Sequence, residues 1–185
     1  MSDKPMTRLV FKGVSEIVGS SEFGVLLMTD EEEKRQLTIV CDKTMALQIE
    51  LRLHHGNMTD LLLPEVLCRM MAKIADDRLM LIINGIDNGQ YRVLLVSNLK
   101  WVEPQMIRAS DAVLLSLIAD VPIFIDDELM KRQSVTFSKN THGIAMPVNS
   151  ISDEMLSKAL KKAIDDENYE LASHLRDEIQ RRKKG

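Results

Sequence analysis

Aromatic side chains are scarce in this chain: only 4% of its 185 residues are Phe, Trp or Tyr. Aliphatic side chains must therefore fill its core, and at 45% apolar residues there are enough of them. Cysteine is scarcer still. Cys41 and Cys68 stand far apart and outside any metal or redox spacing, which excludes a disulfide-stapled scaffold and fits a reducing compartment. No glycine-rich phosphate loop, CxxC pair or HExxH pair is present, so the familiar nucleotide-cradling and zinc-hydrolase motifs are absent. No apolar run approaches the roughly 20 residues that cross a bilayer. The opening MSDKPMTRLVFKG has no apolar signal core, so the expected location is the cytoplasm, with no membrane partner. An excess of positive charge is also missing. The formal charge is −4 and the pI about 5.6, which weighs against a tight nucleic-acid binder, since such proteins neutralise phosphates with basic patches. The one dense basic cluster, Arg181 to Lys184, suits the negative end of a terminal helix.

What is present is a length that fits one domain of about 130–140 residues and an appendage. Twelve methionines supply adaptable packing and candidate partner-facing surface. Residues 1–133 carry what reads as one pattern repeated. In the first copy, strand-like runs at Arg8–Val14, Phe23–Met28 and Gln36–Val40 are divided by Ser20-Ser21 and by an acidic, solvated turn at Asp30–Lys34. A helix from Lys43 to Leu53 follows an Asp42 cap, and a second begins at Pro64, a residue suited to a first helical turn. In the second copy, Leu79–Asn84 and Tyr91–Ser97 flank Asn88-Gly89, the strongest short hairpin signal. An extended stretch around Trp101–Ile107, a helix from Asp111 to Ala119 behind a Ser110 cap, a strand at Val121–Ile125 and a helix at Asp127–Gln133 complete it. The predicted fold class is α+β: duplicated strands-then-two-helices units sharing a mostly antiparallel sheet, plus a C-terminal α-helical hairpin. Residues 134–151 form a polar linker with room for one short strand, and 152–185 form the hairpin.

That hairpin reads LSKALKKAIDDENYELASHLRDEIQRRKK from Leu156. Leu156, Leu160, Ala163 and Ile164 share one helical face, and Tyr169, Ala172, Leu175 and Ile179 another, with Asn168 placed to cap the second helix. Stripes this narrow cannot form a stable core alone, which predicts docking on a second copy or on another protein. The string closely resembles the UVR domain, the interaction hairpin of the bacterial excinuclease B and C subunits. Ala163, Glu167, Asn168, Tyr169, Glu170, Ala172, Leu175, Arg176, Asp177 and Ile179 carry the match. The resemblance implies a protein partner, with Tyr169, Ala172, Leu175, Arg176 and Ile179 at the contact, and no chemistry. A generic terminal coiled-coil hairpin is the bland alternative.

The best candidate for chemistry is Ile107-Arg108-Ala109-Ser110-Asp111-Ala112, ahead of an apolar helix and of Val121-Pro122-Ile123-Phe124. An arginine beside a helix N-terminus can hold a phosphate, and a neighbouring carboxylate can steer water or a metal. The same residues also read as plain capping, with Arg108 paired locally to Asp111. This string resembles the Arg-Pro-Ser-Asp-Ala motif of the bifunctional nuclease domain, and residues from about Arg8 to Gln133 follow that family's element order. The resemblance implies a duplicated fold, self-association into a homo-oligomer, and hydrolase activity on RNA and DNA. It places Arg108, Ser110 and Asp111 in the catalytic site. The chain departs from the family at Leu61-Leu62-Leu63-Pro64-Glu65-Val66, where the family carries Arg-Pro-x-Thr-His-Asp-Leu: the histidine is missing, and Glu65 stands near the aspartate position.

Other candidates divide similarly. Asp126, Asp127 and Glu128 offer hard oxygen donors suited to magnesium or manganese, and equally an acidic helix start. Adjacent His54 and His55 point about 100° apart on a helix and cannot easily share a metal. His142 stands alone in the linker, and His174 on the outer side of the last helix. Two functions stay open: a metal-assisted nuclease built on Arg108, Ser110 and Asp111 with Asp126 and Glu128 as metal candidates, or a non-catalytic, self-associating adaptor that presents UVR hairpins to a partner.

Overall fold

The computed structural model describes residues 5–17, 20–54, 58–74, 79–137, 153–165, 167 and 169–183. Asn168, His55, Gly56, His142 and linker residues 138–151 lie outside this set, as does the side chain of His174.

The first aliphatic runs form β1 (Met6–Ile17), β2 (Ser20–Asp30) and β3 (Arg35–Asp42). Chain direction changes at Asp42, whose Oδ1 accepts the Met45 N–H at 2.8 Å and caps α1 (Lys43–His54) as predicted. Helix α2 (Leu63–Ile74) takes Pro64 into its first turn. Next come β4 (Met80–Asp87) and β5 (Gln90–Val96). Between them Asn88 and Gly89 adopt φ of 48° and 75°, the paired left-handed residues of a two-residue hairpin turn. β6 (Gln105–Arg108) runs straight into α3 (Ala109–Ala119), which ends at Asp120 in the left-handed region. β7 (Ile123–Asp126), α4 (Asp127–Gln133), β8 (Val135–Thr136), α5 (Asp153–Asp165) and α6 (Tyr169–Lys183) complete the order.

The strands form one eight-stranded sheet ordered β6-β5-β4-β7-β1-β2-β3-β8. Every described pairing is antiparallel except β4 with β7. β8 supplies the short strand expected in the linker, against Arg35 and Gln36. The core is aliphatic, as the scarcity of aromatics required: Leu26, Met28, Leu37, Leu81, Ile83, Val93 and Ile125 from the sheet meet Ile49 of α1 and Val113 of α3. The fold is thus mixed α and β, with a mostly antiparallel sheet.

Three expectations change. The stretch Trp101–Ile107 is not extended throughout. Trp101 sits exposed in a turn closed by Val102 N–H to the Leu99 carbonyl at 3.0 Å, and the strand starts only at Gln105. Ser110 does not cap α3: the extended N-cap position falls on Arg108, at φ −67° and ψ 147°, because strand passes into helix without a spacer. Ser110 lies inside the first turn, buried. Third, α5 rests against β2 of its own chain and Leu156 is fully buried, so the narrow stripe finds cover within the molecule rather than only on a partner.

α1 crosses β2 at Gly24, where a Cβ would stand 2.5 Å from the Ala46 Cβ. Gly24→Ala should therefore push helix from sheet and cost about 1–3 kcal/mol, and Ala46→Gly in the same chain should restore part of it. Urea denaturation of the parent and the two variants measures this, and an unchanged midpoint for Gly24→Ala would refute the close approach.

Candidate active site at the start of α3

In sheet order, β3 and β6 are six strand spacings apart, roughly 29 Å if the sheet were flat. Yet Arg108 Nη1, at the end of β6, lies 3.6 Å from Asp42 Oδ2, at the end of β3. The sheet is therefore strongly coiled, and its two arms bring the starts of α1 and α3 together. Asp111 completes the group. Arg108 Nε donates to Asp111 Oδ2 at 2.7 Å and Nη2 to Oδ1 at 3.1 Å, a bidentate fork across one helical turn. Arg108 remains 64% exposed and Asp42 49%, so the cluster is open to solvent and to a ligand. The hydrogen bonds to Asp111 raise the Arg108 pKa above its ordinary value, against the opposing effect of partial burial. Burial, and then the charge of Asp42, push the Cys41 thiol up to about 11, so this neighbour is no nucleophile at neutral pH.

Of the predicted catalytic residues, the structure thus brings Arg108 and Asp111 together and puts Ser110 in the wall beneath them. The sequence marks Asp42 only as a helix cap. Nothing in its local sequence marks it as a neighbour of Arg108, because only the coiling of the sheet joins them.

Asp126, Asp127 and Glu128 lie elsewhere, around an open recess of about 440 Å³ lined also by Pro5, Asn84, Leu129 and Arg132. Asp126 Oδ1 accepts the Leu129 N–H at 3.1 Å and caps α4, and Asp127 Oδ1 accepts the Thr7 hydroxyl at 2.7 Å. These are the acidic helix-start roles weighed above. Among the described residues, no three His, Cys, Asp or Glu side chains converge to hold a metal. His54 closes the exposed last turn of α1. In the C-terminal helices Leu156, Ala163 and Ala172 are buried, Tyr169 and Ile164 are exposed, and Arg176 lies 3.4 Å from Asp177.

Glu65 has a different environment from any of these carboxylates. Its carboxylate is nearly enclosed and lies against Arg52 of α1, with Oε1 2.7 Å from Nε and Oε2 accepting from Nη2 at 3.0 Å. Arg52 Nη1 also donates to the Gln48 carbonyl at 2.7 Å and to Gln48 Oε1 at 3.0 Å. This pair pins α2 to α1 and keeps the Glu65 carboxylate engaged with Arg52.

A family model of the bifunctional nuclease domain matches residues 25–138. A second, for the UvrB/uvrC motif, matches residues 154–184. No curated protein matches the chain.

Removing one member of the enclosed pair strands the other charge. Glu65→Leu alone, or Arg52→Met alone, should destabilise by about 3–5 kcal/mol, while the double variant recovers most of the loss. A double-mutant cycle by chemical denaturation checks this, and additive losses would contradict a coupled pair.

Proposed function

We propose, because the chain belongs to the bifunctional nuclease domain family, that its body hydrolyses phosphodiester bonds in RNA or DNA at Arg108, Ser110 and Asp111, while the UVR motif binds a protein partner. The observation that supports this reading is the open cluster of Arg108, Asp42 and Asp111 where two helices begin. A guanidinium at that place binds a phosphate bidentately once a substrate competes with Asp111 for its fork, and the first free N–H groups of α3 add to the attraction. Released from Arg108, the Asp111 carboxylate becomes a hydrogen-bond acceptor for an attacking water. Ser110 is packed inward in the same helical turn, between its two neighbours.

Two hard carboxylates facing one cation fit a magnesium or manganese ion that keeps its remaining ligands as water and substrate phosphate. Asp42 and Asp111 suit that role better than Asp126 and Glu128 because both face Arg108, where a phosphate would be held, whereas Asp126 and Glu128 line a separate recess. Such an ion, when bound, would neutralise phosphate charge and lower the pKa of a bound water. Glu65 cannot replace the missing histidine, since Arg52 holds it.

Three strands followed by a helix open each half, which supports a duplicated body over 1–133; with it we place a linker over 134–151 and a hairpin over 152–185, the whole acting in the cytoplasm as a homo-oligomer. Contacts between α5 and α6, with Tyr169 and Ile164 exposed, support a hairpin that leaves those two side chains available to a partner. The closed fork of Arg108 on Asp111 and the missing histidine favour the second reading, a non-catalytic adaptor that multiplies hairpins for avidity.

The two readings separate in one assay. With magnesium or manganese the full chain should cut RNA or single-stranded DNA, and Asp111→Ala or Arg108→Ala should slow cleavage by about 100-fold or more. The pair is exposed, so stability should change by no more than about 1 kcal/mol. Absence of cleavage in both metals, or parent-like rates in Asp111→Ala, would leave only the adaptor. For the hairpin, Tyr169→Ala should weaken binding of purified excinuclease B, which carries its own UVR hairpin, by about 10-fold or more. Equal dissociation constants for parent and variant would rule out Tyr169 as a contact.

A further inference from the structure

Helix α2 is turned inside out. Its carboxylate Glu65 is buried while Leu63, Leu67, Met70 and Met71 are 68%, 48%, 53% and 51% exposed. At about 100° per residue these four fall within roughly a 100° arc, and Glu65 points to the opposite side, into Arg52. The preceding turn adds Met58 and Leu61, 73% and 89% exposed. Together the six side chains present on the order of 700 Å² of apolar surface, beyond the largest patch of a typical monomer and close to the roughly 800 Å² per partner of a standard interface. Leu63, Leu67, Met70 and Met71 keep this exposure alongside the C-terminal helices of the same chain.

We infer that this face of α2 is the interface with a second copy of the chain, packed helix against helix across a two-fold axis. The inference rests on the self-association included in the proposed function and names its surface. Three features select this occupant. The spacing of Leu63, Leu67 and Met70, four residues and then three, is that of a helix-pairing seam. Among the described side chains of α2, the charges are already paired within the chain: Glu65 with Arg52, and Arg69 with Asp60, whose carbonyl it also contacts. A second identical face therefore brings apolar side chains onto apolar side chains, whereas a phosphate backbone or an anionic membrane would find, among the described side chains of α2, only Arg69, already engaged by Asp60. Met58, Met70 and Met71 can adjust around a two-fold axis, where each side chain packs beside its own copy.

Sedimentation and light scattering of the full chain test this. The parent should run at twice its 21.0 kDa mass. Leu67→Glu with Met70→Glu, both at exposed positions, should raise the dimer dissociation constant by about 100-fold or more while circular dichroism and the thermal transition keep a folded signature. Should the double variant misfold, the parent still reports: on dilution, the methyl resonances of Met58, Met70 and Met71 should shift while those of buried Met28 and Met45 stay put. A dimer that survives both substitutions, or those three methyls unmoved by dilution, overturns α2 as the surface but leaves self-association intact. A monomeric parent at tens of micromolar overturns both, and neither result touches the cleavage assay.

Discussion

β7 hydrogen-bonds to β1 on one side and to β4 on the other, so four residues join the two halves of the sheet. Ile123 and Ile125 are almost wholly buried, and the Pro122 carbonyl accepts the Leu81 N–H at 2.9 Å just before the strand begins. The parallel pairing with β4 requires the chain to cross over through β5, β6 and α3 before returning. That crossover leaves the end of β6, and with it Arg108, directed at the end of β3. Without the central strand, each half would present an open edge and the candidate site would fall apart into two unrelated helix starts.

The coiling that follows from this arrangement is held from within by small residues. Gly24 admits the α1 backbone, and Ala46 faces it, so α1 lies close enough to β2 for Ile49 to reach the core. α1 then carries two attachments at opposite ends: Asp42 at its start faces Arg108, and Arg52 in its last turn holds Glu65. An enclosed ion pair costs desolvation of both charges, and its return is orientation more than stability. Here the orientation obtained is that of α2, whose Glu65 goes in while Leu63, Leu67, Met70 and Met71 stay out. The proposed active site and the proposed dimer surface are thus both set by one helix, α1.

Overall charge and local charge carry different information. A net −4 disfavours broad electrostatic attraction to a nucleic acid. The proposed site nevertheless contains an exposed guanidinium, and a phosphate needs only that local group and free N–H donors to be held. Whether the fork serves a ligand or only Asp111 is a competition between two acceptors, decided by the chemistry offered to it.

Much of the architecture was legible in the residues. Apolar alternation, the Asn88-Gly89 turn, the Asp42 cap and Pro64 at a helix start are local signals, each read from a few neighbours, and each appears where local physics puts it. The limits were local too: Ser110 resembles a cap until the strand before it leaves Arg108 in the extended position. Determined by the sequence itself were the element types and their order, the aliphatic core, and the presence of Arg108 and Asp111 one helical turn apart. Only the tertiary structure decided that Asp42 meets Arg108, that Glu65 is taken by Arg52, and that the leucines and methionines of α2 face outward. These depend on contacts between segments distant along the chain, and such contacts form only after the sheet has coiled and its helices have packed.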